Sequence, residues 1–107
     1  MKVDTLRRHA LALPGAIEAP HFNYTSFRVR GKIFMTVPPD GLHAHIFVPE
    51  AQREAALALE PDVCGKLWWG SKVLGLKVAL AAAKPAFVKG LVRQAWAAKG
   101  GVAPAEG

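Results

Sequence analysis

Residues 26–38 read SFRVRGKIFMTVP, and the alternation in this stretch decides the fold class. Apolar and polar side chains alternate on both sides of a central glycine, which is the pattern of two half-buried strands joined by a tight turn. In the first strand, Phe27 and Val29 are predicted to face the core, while Arg28 and Arg30 lie on the opposite face. The stretch therefore predicts a β-hairpin that carries cations near its turn.

Further alternating runs extend the predicted sheet. The second strand of the hairpin directs inward Ile33, Met35 and Val37. A Pro-Pro-Asp-Gly turn follows. The third strand has Leu42, Ala44, Ile46 and Val48 on its inner face and His43 and His45 on its outer face. A strand over residues 72–80 directs inward Leu74, Leu76, Val78 and Leu80. These runs predict four strands, and a short additional strand near Trp68 stays open.

Three helices are predicted from capping signals and apolar spacing. They begin at Asp4 or Thr5, at Pro49-Glu50 and at Pro85, and they end before Pro14-Gly15, near Glu60 and at Gly100-Gly101. The third helix has apolar residues at helical spacing, namely Val88, Leu91, Val92, Ala95 and Trp96. Residues 14–25 are predicted to form a loop, and residues 62–71 a loop or an irregular sheet edge.

The resulting order of elements is α, β, β, β, α, β, α. Such an order predicts an α+β fold in two layers, with an antiparallel sheet and helices packed on one face. The chain has 107 residues and no internal linker or repeat. One domain is therefore predicted over residues 1–100, followed by a flexible tail over residues 101–107.

The charge balance favours an acidic partner. Fourteen Lys and Arg residues against eight Asp and Glu residues give a net charge of +6, which suits nucleic acid, anionic lipid or an acidic protein, although it also serves solubility alone. The apolar runs fall short of the roughly 20 residues that cross a bilayer. With no signal peptide at the N-terminus and a single cysteine, Cys64, a cytoplasmic location and a monomer are expected.

The motifs of common enzymes are absent. Gly65-Lys66 resembles part of a phosphate-binding loop, but Glu60 stands where the motif needs glycine and Leu67 where it needs Ser or Thr. His43 and His45 are predicted to be exposed, and the remaining His and Cys residues show no metal-site spacing. We therefore predict no metal, no cofactor and no catalytic residues.

The basic residues are the strongest functional signal. Three cations cluster on the predicted hairpin, and a second segment over residues 66–72 interleaves two lysines with two indoles, which suits phosphate contact and base stacking. The predicted nucleic-acid-binding residues are Arg28, Arg30, Lys32, Lys66, Trp68, Trp69 and Lys72. The predicted partner is duplex DNA, bound without marked sequence preference and with a dissociation constant on the order of 10⁻⁴–10⁻⁶ M at physiological salt.

Two alternatives stay open. Cations at a sheet edge also discourage edge-to-edge aggregation. Because Trp68 and Trp69 are adjacent in an extended segment, one of them is predicted to lie in the core. That would leave one indole for a ligand. The second alternative is a protein-interaction or small-ligand module that uses the Trp68-Trp69 surface and the loop from His21 to Tyr24.

The order of these motifs resembles the MmcQ/YjbR family of small bacterial proteins. The resemblance covers about residues 4–98 and rests on Leu13-Pro14-Gly15-Ala16, on the segment from Phe27 to Phe34, on Trp69-Gly70 and on the segment from Val92 to Trp96. It implies a CyaY-like fold and DNA binding through a double wing, with Arg28, Arg30 and Lys32 on one wing and the Lys66–Lys72 segment on the other.

Two features depart from such relatives. The Leu67-Trp68-Trp69 segment is more hydrophobic than the family pattern, which leaves room for a hydrophobic contact surface. The fold that the resemblance implies is shared with frataxin, which binds iron on an acidic ridge of its first helix. Here that helix carries Arg7 and Arg8, so iron binding by that route is not expected.

Overall fold

The computed structural model describes residues 1–103. Over these residues the chain forms three helices and six strands, in the order α1 (Val3–Ala12), β1 (Ile17–His21), β2 (Tyr24–Val29), β3 (Lys32–Val37), β4 (His43–Ile46), α2 (Glu50–Leu59), β5 (Cys64–Trp69), β6 (Lys72–Ala79) and α3 (Pro85–Ala98). Residues 104–107 of the predicted tail lie outside the described part. No helix within residues 1–103 is long and apolar enough to cross a bilayer.

The six strands form one sheet in the order β1-β2-β3-β4-β6-β5, and every neighbouring pair is antiparallel. Phe27, Met35, Ile46 and Leu76 follow one another across four strands, and all are buried in one cluster with the apolar stripes of the helices. Because cross-strand partners point to the same face, this face carries the helical layer. The predicted α+β architecture is confirmed.

The other side of the sheet, here called the open face, has a different composition. Ser26, Thr36 and His45 are cross-strand neighbours on β2, β3 and β4, and Lys77 follows them on β6. The first three are the buried polar side chains of residues 1–103. A row of buried polar groups on a sheet face is unusual, because burial is favourable only for polar groups that find partners. The predicted exposure of His45 is therefore wrong.

A β-bulge changes which residues of β3 face the core. Phe27 pairs with Met35 and Arg28 pairs with Ile33, so Phe34 is an extra residue between the two pairs. Phe34 and Met35 are both fully buried, and Ile33 shares the open face with Arg28. The predicted inward orientation of Ile33 is wrong, because a bulge interrupts the regular alternation of a strand.

The turn of the first hairpin also differs from prediction. Arg30 and Gly31 both adopt positive φ, 51° and 75°, as the tight two-residue hairpin turn requires. Arg30 is thus a turn residue and does not share a strand face with Arg28. Its side chain lies against the end of α3, where a Cβ on Gly100 would come within 3.1 Å of the Arg30 Cδ.

Several element boundaries need correction. The predicted loop over residues 14–25 contains β1. For residues 62–71 the prediction left a loop, an irregular sheet edge and a short strand near Trp68 open, and the structure has an edge strand there, β5, with a register shift. Helix α1 begins at Val3 with Lys2 as its N-cap, two or three residues before Asp4 or Thr5, the residues predicted to cap it. Helices α2 and α3 begin where predicted. Pro85 is the first residue of α3, which suits proline, whereas Pro49, predicted to lie in the first turn of α2, is its N-cap.

Candidate functional site

A groove crosses the open face and encloses about 720 Å³, a volume typical of ligand sites. We call it the open-face groove, and it is lined by His21, Tyr24, Ile33, Thr36, His45, Phe47, Leu67, Trp68, Trp69, Leu74 and Lys99. These residues come from all six strands, the segment after β4 and the end of α3. The sequence brings them from distant positions, so the groove exists only in the folded chain.

The short strand β4 opens the groove. It pairs with β3 only at Met35 and Thr36 and with β6 only beyond Gly75, so the outer halves of the two hairpins have no strand between them. The strand directions place both hairpin turns, Arg30-Gly31 and Gly70-Ser71, at the same end of the sheet. The hairpins β2–β3 and β5–β6 therefore flank the groove as two walls.

The floor of the groove contains two buried polar side chains. Thr36 and His45 are cross-strand partners, with exposed fractions of 4% and 8%. The Tyr24 ring lies 5.8 Å from the His45 ring, between centroids. Among the hydrogen bonds of residues 1–103, none involves the side chain of Thr36 or of His45, and neither side chain contains a fully buried polar atom without a partner. Their polar atoms are therefore directed to the groove.

Ser26, the third member of the polar row, differs in this respect. Its hydroxyl donates to the carbonyl oxygen of Ala19 at 2.7 Å and accepts a hydrogen bond from Nε of Arg28 at 3.0 Å. The first contact ties β2 to β1, and the second holds the Arg28 side chain on the open face. Ser26 is therefore a structural residue, and only Thr36 and His45 offer free polar atoms on the floor.

One wall of the groove is formed by two exposed indoles. The exposed fractions of Trp68 and Trp69 are 57% and 75%, so the predicted burial of one of them in the core is wrong. The register of β5 and β6 shifts between Leu67 and Trp68, and Leu74 is the extra residue. This irregularity in the pairing of the edge strand β5 with β6 allows both indoles to line the groove. It also turns Leu74, predicted to face inward, out to solvent. Leu42, also predicted to face inward, is exposed as well.

The groove has a positive electrostatic character. Its lining, all within the described residues, contains Lys99 and no carboxylate. Lys77 is exposed on the same face beside His45. Within residues 1–103, the Asp and Glu residues that form ion pairs do so with Arg7, Arg8, His43 and Arg53, and none of these acids lines the groove. Asp40, the partner of His43, is near enough to act on the pKa of His45. An anionic ligand would therefore meet attractive charge at the rim of the groove and no repulsive partner in its lining.

The five predicted cations lie on the two hairpins but point to different faces. Arg28 is on the open face, whereas Lys32 pairs with the core residue Val29 and Lys66 pairs with the core residue Leu76. Arg30 and Lys72 lie at the two turns. Within residues 1–103 none of the five forms an ion pair. Arg28, Arg30, Lys32 and Lys72 thus lie towards one end of the sheet, whereas Lys66 lies in its central row beside Leu76. The five cations do not form a single flat basic surface.

Other reactive side chains are dispersed. His43 contacts Asp40 at 2.9 Å, and the pKa of Asp40 is lowered by a hydrogen bond from the Leu42 amide and by His43. Cys64 is buried, which raises the pKa of its thiol. Within the described part of the chain, no three His, Cys, Asp or Glu side chains converge as metal ligands would.

Burial lowers the pKa of His45 below its usual 6.5, and Lys77 and His43 lower it further, against a smaller opposing effect of Asp40. As the pH falls below 6.5, the unfolded chain takes up the proton before the folded chain does, so stability decreases until the folded pKa is passed. We expect the free energy of unfolding to fall as the pH drops through 6.5, the unfolded value, and His45→Phe to reduce that fall.

Urea denaturation at a series of pH values measures this effect. His9, whose pKa is also lowered by burial, contributes a fall of the same sign to both proteins, so the comparison isolates His45. An identical fall in the wild type and in His45→Phe would contradict the assignment.

These features define a class of protein, a two-layer α+β domain whose antiparallel sheet is covered by helices on one face and grooved on the other. The chain belongs to the YjbR family, whose model matches residues 11–98, as the sequence resemblance predicted. It is similar to the crystal structure of Deinococcus radiodurans protein DR2400, which has a DUF419 domain, with a TM-score of 0.75 and 21% identity over 89% of this chain and 75% of that one. No curated protein matches the chain.

Proposed function

We propose that this protein binds single-stranded nucleic acid, with bases stacked on Trp68 and Trp69 and phosphates held by the cations of the two hairpins. The observation that carries the proposal is the pair of exposed indoles in a carboxylate-free groove, flanked by cations without ion-pair partners within residues 1–103. Aromatic platforms beside a basic track are the common features of single-strand binders. The proposed role is binding without catalysis.

A single strand suits this surface better than the duplex predicted from the sequence. In a duplex the bases are stacked on one another, so their faces cannot reach an indole, whereas an unpaired base can. The cations also lie on both faces of the hairpins, which suits a flexible strand that curves between them. A rigid duplex would need them on one surface. Duplex binding remains an outcome that the experiment below distinguishes.

The alternative of a small-ligand module keeps one specific observation in its favour. The groove volume of about 720 Å³ lies within the range of small-molecule sites, and its lining is mainly apolar and aromatic. A mononucleotide has the same stacking and charge chemistry as one unit of a strand. Parallel titrations with a mononucleotide and with a single strand of the same base therefore distinguish a small-ligand site from a single-strand site.

The test is fluorescence anisotropy of a labelled single strand, titrated at several salt concentrations. The double variant Trp68→Ala/Trp69→Ala should weaken binding by about 10- to 100-fold, since stacking contributes about 1–3 kcal/mol per base. The control variant Leu59→Ala removes another exposed apolar side chain, on α2 and away from the groove, and should leave binding unchanged. Equal affinity of the double variant and the wild type would contradict the proposal.

The cations are tested through the salt dependence. The triple variant Arg30→Ala/Lys32→Ala/Lys72→Ala should reduce the slope of log K against log salt by about 2, because each phosphate contact on a single strand contributes about 0.7. A matched triple change on α3 and its N-cap, at Lys84, Lys89 and Arg93, removes the same charge from the helical layer. That control should change the slope much less. A duplex that binds more tightly than the single strand would overturn the single-strand assignment.

A further inference from the structure

We propose that Thr36 and His45 form a base-reading subsite on the floor of the open-face groove, where they hydrogen-bond the edge of one unpaired nucleobase. This inference rests on the proposed function, because it assumes that a single strand occupies the groove. It adds a sequence preference, and it assigns that preference to two residues outside the cationic and indole surfaces already described.

The first support is the state of the two side chains. Both are more than nine-tenths buried, both line the groove, and neither takes part in a hydrogen bond within residues 1–103. Their polar atoms are not fully enclosed but reach the groove, where solvent contacts them in the absence of a ligand. The neighbouring Ser26, by contrast, uses its hydroxyl for contacts within the sheet. A ligand in the groove would replace the solvent as the hydrogen-bond partner of Thr36 and His45.

The second support is the chemistry that the pair offers. A neutral imidazole presents one donor and one acceptor, and a threonine hydroxyl can do either. Burial keeps His45 neutral near pH 7. An edge with adjacent donor and acceptor atoms is what a nucleobase provides, and proteins read unpaired bases through such edges. Thr36 and His45 are direct cross-strand partners, so their polar atoms are close enough to contact one base.

The surroundings of the pair favour a base over a phosphate at this position. Tyr24, Phe47 and Leu67 line the same groove, and a phosphate placed among them would lose its hydration without gaining a buried cation. Neither nearby lysine is buried among these side chains, because Lys77 is exposed beside the floor and Lys99 lies in the lining at the end of α3. The planar base would therefore enter the floor, and the phosphates would remain at the charged rim.

The experiment compares the affinities of four homopolymeric DNA single strands, oligo-dA, oligo-dC, oligo-dG and oligo-dT, for the wild type and three variants, in a lithium buffer that keeps oligo-dG from forming quadruplexes. His45→Phe keeps a planar ring and removes the nitrogens, and Thr36→Val keeps the shape and removes the hydroxyl. His43→Phe is the matched control, because His43 lies on the same strand and outside the lining of the groove. Thermal unfolding of each variant establishes that the fold is retained.

We expect the wild type to prefer one homopolymer by about 10-fold, which is the size of effect that one or two specific hydrogen bonds produce. His45→Phe and Thr36→Val should each reduce this preference to a few-fold or less and leave the weakest of the four affinities nearly unchanged, because stacking remains. His43→Phe should keep the preference. Four equal wild-type affinities, or a preference that survives both changes, would overturn the subsite.

The failure of this inference is distinguishable from the failure of the proposed function. If the wild type binds all four strands equally and loses affinity in Trp68→Ala/Trp69→Ala, the groove binds single strands and the subsite is wrong. If the wild type binds none of the four strands, both are wrong. A strand with abasic positions keeps the phosphates and removes the bases. It should therefore lose both the affinity that depends on stacking on the indoles and the affinity that depends on Thr36 and His45.

Discussion

Gly75→Ala is expected to lower the free energy of unfolding by about 3 kcal/mol or more. Gly75 lies on β6 where the β4 segment ends, and a Cβ there would overlap the carbonyl oxygen of Ile46 and come within 3.0 Å of the Phe47 Cα. Both are backbone atoms, so no side-chain rotation relieves the overlap, and β4 and β6 must separate. Guanidinium denaturation of the wild type and the variant measures the loss.

Gly65→Ala is the matched control for this change. Gly65 lies on the neighbouring strand β5, and an added Cβ there has no atom within 4 Å. The control should therefore unfold within about 0.5 kcal/mol of the wild type. Equal denaturation midpoints for Gly75→Ala and Gly65→Ala would show that the close approach of β4 to β6 does not constrain the fold.

Trp96→Ala is expected to destabilise the protein by about 3–5 kcal/mol, the usual cost of truncating a large buried aromatic side chain. Trp96 is almost fully buried on α3, and its Nε1 donates a hydrogen bond to the carbonyl oxygen of Pro14 at 2.9 Å. A Cβ on Gly101 would overlap its ring, so the chain after α3 packs directly on the indole. Trp96 thus anchors α3 to the loop between α1 and β1, through Pro14, and to the segment that follows α3, through Gly101.

Trp69→Ala provides the comparison for Trp96, because the same residue type is removed from an exposed position. Its free energy of unfolding should change by no more than about 0.5 kcal/mol, while it weakens the proposed nucleic-acid binding. If the two tryptophan variants had similar thermal midpoints, Trp96 would not have the anchoring role described here.

Sequence reasoning predicted the elements whose signals are local. The prolines at Pro49 and Pro85 identified the starts of α2 and α3, since proline suits the first turn of a helix. The alternation around Gly31 identified the hairpin β2–β3. The match to the YjbR family model and the similarity to the DR2400 structure confirmed the predicted family and the predicted antiparallel α+β architecture.

The errors occurred where pairing with a neighbouring strand overrides local pattern. Strand β1 was predicted to be part of a loop over residues 14–25, which contain Pro, Gly and Asn. Its proline, Pro20, is tolerated because β1 is an edge strand. The bulge at Phe34 reverses the expected direction of Ile33, and the irregularity beside Leu67 exposes both indoles. An extra residue in one strand is defined only by its partner, so alternation within one strand cannot reveal it.

The candidate site was only partly accessible from the sequence. The two indoles were identified, and so was the segment from His21 to Tyr24, two of whose residues line the groove. The floor was missed, because His45 was expected to be exposed. The available signal was the run of polar residues at Ser26, Thr36 and His45 within strands that are otherwise apolar, but their adjacency depends on the register of three strands.

The strand order also has a consequence for folding kinetics. Four of the five pairings join strands that are consecutive in the chain, and only β4–β6 joins strands separated by a helix and another strand. Pairing β4 with β6 closes a loop that contains α2 and β5. The chain loses the conformational entropy of that loop before the contacts between β4 and β6 form, so this pairing has the largest entropic cost of the five. We therefore expect the two hairpin units to form early and the seam at Ile46 and Leu76 to close late, which would make Gly75→Ala accelerate unfolding more than it slows refolding.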